Sequence, residues 1–215
     1  MSMEDALKIT IHLDGTGICF DKFEPIHLDA LIASQLSTFA THVAMERDDV
    51  PEFVPLPLAM RKYAGREMWR ASAFFLDDDT PETVRYWRKK FRVNAIHQTT
   101  GSPNLTMGVY REYNAPMPMM LARKATAYCV GNRKSVKGIL RRLKFFGKKS
   151  SQGIGMICGF DIDRIDDDLS WIGKGGLAMR WLPDSGGMRH VRTQPPYWNS
   201  TDRVLCCEVG DKIEE

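Results

Sequence analysis

No stretch of about 18 uncharged apolar residues occurs in this 215-residue chain, so no membrane-spanning helix is expected. The first residues carry Glu4 and Asp5 where a secretory signal would be basic and then apolar, which predicts a cytoplasmic protein. Cysteine is scarce and unpatterned: Cys19, Cys129, Cys158, Cys206 and Cys207 are odd in number and lack metal-ligand spacing, which argues against a disulfide framework and a zinc site. The histidines His12, His27, His42, His97 and His190 form no His-x-x-x-His pair, so neither a metal nor another cofactor is expected. Internal repeats and low-complexity linkers are missing as well, which leaves one sizeable core or two small ones.

What is present is a globular composition, 43% hydrophobic and 27% charged, with a net charge of only +3 that is unevenly spread. The segment 133–149, RKSVKGILRRLKFFGKK, holds eight bases (Arg133, Lys134, Lys137, Arg141, Arg142, Lys144, Lys148 and Lys149) and no acid. A second basic patch, RYWRKKFR, interleaves Arg85, Arg88, Lys89, Lys90 and Arg92 with Tyr86, Trp87 and Phe91. Acids gather elsewhere, at Asp77–Asp79 and at Asp161, Asp163 and Asp166–Asp168. Clustered bases repel one another unless a polyanion neutralises them, so the segregation points to nucleic acid, against the plain alternative of a solvated helix face.

Apolar and polar residues alternate over Ala6–Leu13, which predicts a half-buried strand. After Pro25, Leu28, Leu31, Ile32, Leu36, Phe39 and Val43 recur at helical spacing. Met68–Leu76 reads as a second strand, and Thr80-Pro81-Glu82 reads as the capped start of a short basic helix to about Phe91, with Trp87 inward. Residues 95–122 suit a protruding arm containing a strand over Leu105–Tyr113; Ala125–Val130 reads as a strand. A second helix follows, burying Val136, Ile139, Leu140 and Leu143 and ending at Gly147, then a strand to about Ile162 and a closing strand over Val204–Val209. The order strand, helix, strand, strand, helix, strand predicts an α+β, ferredoxin-like (RRM-like) domain over 1–165 and a β-rich extension over 166–215 packed on the same core.

Between the second helix and its strand lies a glycine-rich loop, Gly147–Gly155, which unites cations with backbone free to approach a phosphate. Its lysines precede the second glycine and it joins a helix to a strand, so it is neither a nucleotide-hydrolase P-loop nor a dinucleotide fingerprint. Taken with the helix, bases at 137, 141, 144 and 148 form a stripe running into a cradle at Gly153-x-Gly155.

A basic second helix followed by Ser150, Ser151, Gln152, Gly153, Ile154 and Gly155 resembles the signature of the RAMP superfamily of CRISPR-associated proteins. The segment Pro25–Ala33 is similar to that of the small RAMP subunit of type IV CRISPR effector complexes, the counterpart of Cas family five. The resemblance implies a non-catalytic subunit that caps the 5′ handle of the CRISPR RNA, with Arg133, Lys134, Lys137, Arg141, Lys144, Lys148, Lys149 and the loop residues Ser150, Ser151, Gln152, Gly153 and Gly155 on the RNA. It implies a backbone RAMP subunit as partner, met through a thumb at about 95–122, with a large subunit and target DNA near enough for the chain to help read the motif beside the target. Thumb or partner contacts are expected at His97, Tyr110, Arg111, Tyr113, Met117, Met119 and Met120, the methionines as an adaptable apolar surface buried against a neighbour.

Some RAMP relatives cut precursor RNA without metal, and His27, at the start of the first helix, is the candidate acid or base for that alternative. A free-standing RNA-binding protein is a third possibility. Pro195–Trp198 suits either a wedge into nucleic acid or a docking contact.

Overall fold

A computed structural model describes residues 4–19, 24–40, 55–77, 79–92, 104–149 and 152–213. Its centre is an antiparallel four-stranded sheet. Strand β1 (Asp5–Leu13) runs between β7 (Lys124–Gly131) and β8 (Ile157–Arg164), and β4 (Phe75–Leu76) lies outside β7, giving the order β4-β7-β1-β8. The alternation of β1 places Leu7, Ile9, Ile11 and Leu13 on one face, none more than 7% exposed. Helices α1 (Leu28–Ala40) and α2 (Arg133–Leu140) cover that face with Leu28, Ile32, Val136, Ile139 and Leu140.

The edge segment predicted as one strand, Met68–Leu76, is broken. Strand β3 (Arg66–Trp69) forms a hairpin with β2 (Met60–Tyr63), and regular pairing with β7 resumes only at Phe75. Between them the buried hydroxyl of Ser72 accepts the Tyr128 N–H at 2.8 Å, a side chain standing in the ladder where a backbone carbonyl would be expected.

The predicted helix over 81–91 is instead strand β5 (Glu82–Lys89), paired residue for residue with β6 (Tyr113–Met120). Thr80 does not cap: its hydroxyl donates back to the Asp77 carbonyl. Val84, Tyr86 and Trp87 favour extended backbone, and a partner strand satisfies their peptide groups. Pro116 and Pro118, two residues apart, fit a ladder only where their nitrogens face the open edge. All of β5 is exposed, so the hairpin stands out from the body as an arm. The strand expected over Leu105–Tyr113 is displaced too: Gly108–Tyr110 is a 3-10 turn and extended structure starts at Tyr113.

Residues 166–213 carry a small sheet of order β10-β11-β9, formed by β9 (Leu182–Pro183), β10 (Arg189–Val191) and β11 (Val204–Cys207). Their apolar residues build a separate cluster, in which Ala178, Leu182 and Cys207 meet Met68 of β3.

Candidate nucleic-acid interface

Helix α2 begins where Asn132 caps it, its side-chain oxygen accepting the Ser135 N–H at 2.9 Å. Val136, Ile139 and Leu140 face inward, which leaves Arg133, Lys134 and Lys137 outside. The helix stops at Leu140, seven residues short of the predicted Gly147. The cause lies in the two phenylalanines: Phe146 is fully buried against Phe74, and its N–H donates to Gly155 at 2.7 Å, drawing 145–146 into an extended bridge. Positions 137, 141, 144 and 148 therefore share no helical stripe. All eight bases of the segment are nevertheless exposed.

Their environments differ. Arg133 donates twice to the Ile162 carbonyl, and Lys148 Nζ lies 2.7 Å from Glu24. Lys134, Lys137, Arg141, Lys144 and Lys149 make no ion pair among the described residues. Acid sits on the other side of the sheet, where Asp161 and Asp163 project from β8 opposite Thr10 and Lys8, and Asp161 holds His12 at 2.7 Å.

The glycine loop divides into two parts. Both Gly153 and Gly155 have positive φ, but a Cβ on Gly153 would meet nothing within 4 Å, whereas one on Gly155 would fall 1.9 Å from the Phe146 carbonyl oxygen. Gly155 is thus glycine for the chain's own closure and is buried, so the expected Gly153-x-Gly155 cradle reduces to exposed Gln152 and Gly153. Ser150 and Ser151 lie outside the described residues.

The hairpin carries the second basic patch. Paired side chains share a face, so Arg85, Trp87 and Lys89 project with Met117, Ala115 and Tyr113, and Met119 lies farther down that face. Met119 is 3% exposed and, with Met117 against it, packs on Cys19 and Ile154, and Cys19 bridges to Lys148. The arm's basic and aromatic face therefore rises from the edge of the glycine loop. Trp87, expected inward, is 41% exposed and donates its indole N–H to the Tyr113 hydroxyl at 2.8 Å. Arg88 points to the opposite face, donating to Asn114 and lying over Tyr86. Lys90, Arg92, Tyr110 and Arg111 are exposed, and His97 lies outside the described residues. Met119 and Met120, expected against a neighbouring subunit, are interior to this chain; their burial at the base seats the arm.

His27 is 2% exposed. Its ring stacks on Tyr197, centroids 4.6 Å apart, and meets Trp181 at 4.7 Å; neither ring nitrogen has a hydrogen-bond partner. Burial, reinforced by the nearby Arg180 charge, holds its pKa well below the ordinary histidine value, so the ring is neutral.

Beside it lies a network that the sequence did not disclose. Arg180, fully buried, donates to the carbonyls of Trp69, Ala71 and Thr193, to the Tyr197 hydroxyl at 2.6 Å and to Asp29 at 3.1 Å. Burial pushes the Asp29 carboxyl up while Arg180 and the Tyr197 hydroxyl pull it back. The one available signal was an arginine inside the apolar run Leu177–Leu182.

No helix among the described residues is long and apolar enough to cross a membrane, and no group of three or more His, Cys, Asp or Glu side chains among them is placed to hold a metal ion.

The geometry is that of a small α+β protein with two exposed basic patches, the base of the arm packing against the end of the glycine loop. Residues 92–209, more than half of the chain, match the family described as CRISPR type IV associated protein Csf3. The chain belongs to that family and is a type IV CRISPR-associated subunit. No curated protein matches it.

Proposed function

We propose that the chain is the non-catalytic RAMP subunit of a cytoplasmic type IV effector complex, binding the CRISPR RNA at its 5′ handle and meeting the backbone subunit through the arm 82–120. The observation that carries this reading is the exposure of all eight bases of Arg133–Lys149 beside the basic face of the arm. Each base that neutralises a phosphate releases a counterion, so a concentrated cationic surface of this kind suits a nucleic-acid backbone. The sheet order β4-β7-β1-β8, with both helices on one face, supports the ferredoxin-like RAMP assignment. The large subunit and the target DNA, with its adjacent motif, belong to the same reading as further partners.

Closure of His27 within aromatic rings supports binding over cleavage, because a general base must come within hydrogen-bond reach of the 2′-hydroxyl. Replacing Lys137 and Arg141 together with Glu tests the assignment: RNA retention falls and its salt dependence flattens. Unchanged retention and slope would remove this surface from the RNA path. Incubation of a repeat RNA with the protein in EDTA tests the catalytic point: the RNA stays intact, whereas specific cleavage lost in His27→Ala would overturn the binding-only reading.

A further inference from the structure

Trp198 is 70% exposed, yet the residues on either side of it are tied into the body by hydrogen bonds. The preceding residue, Tyr197, inserts its hydroxyl into the buried network, donating to Asp29 at 2.9 Å and accepting from Arg180 at 2.6 Å. The following residue, Asn199, is 6% exposed; its N–H donates to the Pro196 carbonyl and its side-chain oxygen accepts from both the N–H and the hydroxyl of Thr201. An indole thus projects into solvent from a turn clamped at both shoulders. Two arginines border that turn: Arg203 Nε donates to the Asn199 carbonyl at 3.4 Å and Arg192 Nη1 to the Thr201 hydroxyl at 3.3 Å. Neither makes an ion pair among the described residues, and the one acid in the turn, Asp202, is taken by Arg66 at 2.7 Å.

We propose that Trp198 is a base-stacking site for an unpaired stretch of nucleic acid, with Arg192 and Arg203 facing the flanking phosphates. An indole offers a flat apolar face that accepts any base, and the turn that carries it is held in place beforehand, which leaves little backbone entropy to lose on binding. Uncompensated arginines beside it favour a polyanion over an apolar protein surface. The site lies in the C-terminal extension, and its argument uses none of the bases of α2. A guide RNA and a displaced DNA strand present the same chemistry, and the test separates them.

The full-length protein is titrated into labelled single-stranded RNA and single-stranded DNA of the same sequence, comparing the wild type with Trp198→Ala, Trp198→Leu and Trp198→Phe. Trp198→Ala weakens binding of at least one strand by about five- to a hundredfold, and the strand affected more identifies the source. Trp198→Phe keeps most of the affinity, Trp198→Leu does not, and the salt dependence is the same in all four because stacking releases no counterions. Equal affinity of all four proteins for both strands, or full affinity in Trp198→Leu, would overturn the proposal, as would unchanged strand binding with lost assembly on co-expressed subunits. The Lys137→Glu, Arg141→Glu protein, run beside them, keeps the outcomes apart: it reports on the α2 surface through the salt slope, which Trp198 does not move.

Discussion

Arg180 and Asp29, 151 residues apart in sequence, meet at 3.1 Å with both side chains fully buried, and this contact joins the C-terminal extension to the first turn of α1. The same guanidinium takes the carbonyls of Trp69 and Ala71 at the broken edge of the sheet, so one side chain ties three parts of the fold. Removing a single partner from a buried pair leaves the other charge uncompensated. Arg180→Met is therefore expected to cost about 3 to 5 kcal/mol in urea unfolding, with part of it regained when Asp29→Asn is added. A cost below about 1 kcal/mol would show that the extension docks by other means.

His27 makes stability depend on pH. Its folded pKa is depressed by burial and by Arg180, so the unfolded chain binds the proton more readily. The contribution is present above the unfolded value of about 6.5 and is lost as pH falls from there towards the folded value, at up to about 1.4 kcal/mol per pH unit. Melting temperatures of the wild type and His27→Phe, compared at successive pH values below neutrality, are expected to converge or cross as pH falls. Parallel curves would contradict the buried, neutral ring.

The two glycines of the loop should behave differently. Gly155→Ala forces a Cβ into the Phe146 carbonyl and must displace the loop or unfold it. Gly153→Ala meets only open space and carries just the penalty of a positive φ, about 1 to 2 kcal/mol. Thermal melts of the two variants check this; equal losses would mean that the closure at Phe146 is not what fixes Gly155.

Much of the central fold was legible. Strands β1, β7, β8 and β11, the start of α2 and the body of α1 follow from local periodicity, which needs only neighbours in sequence. The arm was not, because Thr80-Pro81-Glu82 imitates a helix start, and Val84, Trp87 and Phe91 recur at helical spacing. What decides for the strand is pairing as remote as Glu82 with Met120, which no local window contains. The basic surface was legible as charge but not as shape: burial of Phe146, not the glycine, ends α2 and spreads the stripe. Met119 and Met120 read as a partner surface because their own partners, Cys19 and Ile154 for the first and Ile18 for the second, lie far away in sequence.

The helix cap offers a milder test of the same surface. Asn132→Ala removes the bond to the Ser135 N–H and should cost about 1 kcal/mol without altering any charge. Denaturant unfolding reads the loss, and RNA affinity measured well below the transition should be little changed. A large drop in affinity at full folding would mean that the cap itself contacts the ligand.

The most direct measurement is to co-express the protein with its neighbouring genes and a repeat-spacer transcript, purify the assembly through this chain, and sequence the RNA it retains. The account predicts a defined RNA species with a common 5′ end, lost when the bases at Lys137 and Arg141 are reversed. RNA of random ends, or no RNA, would contradict it.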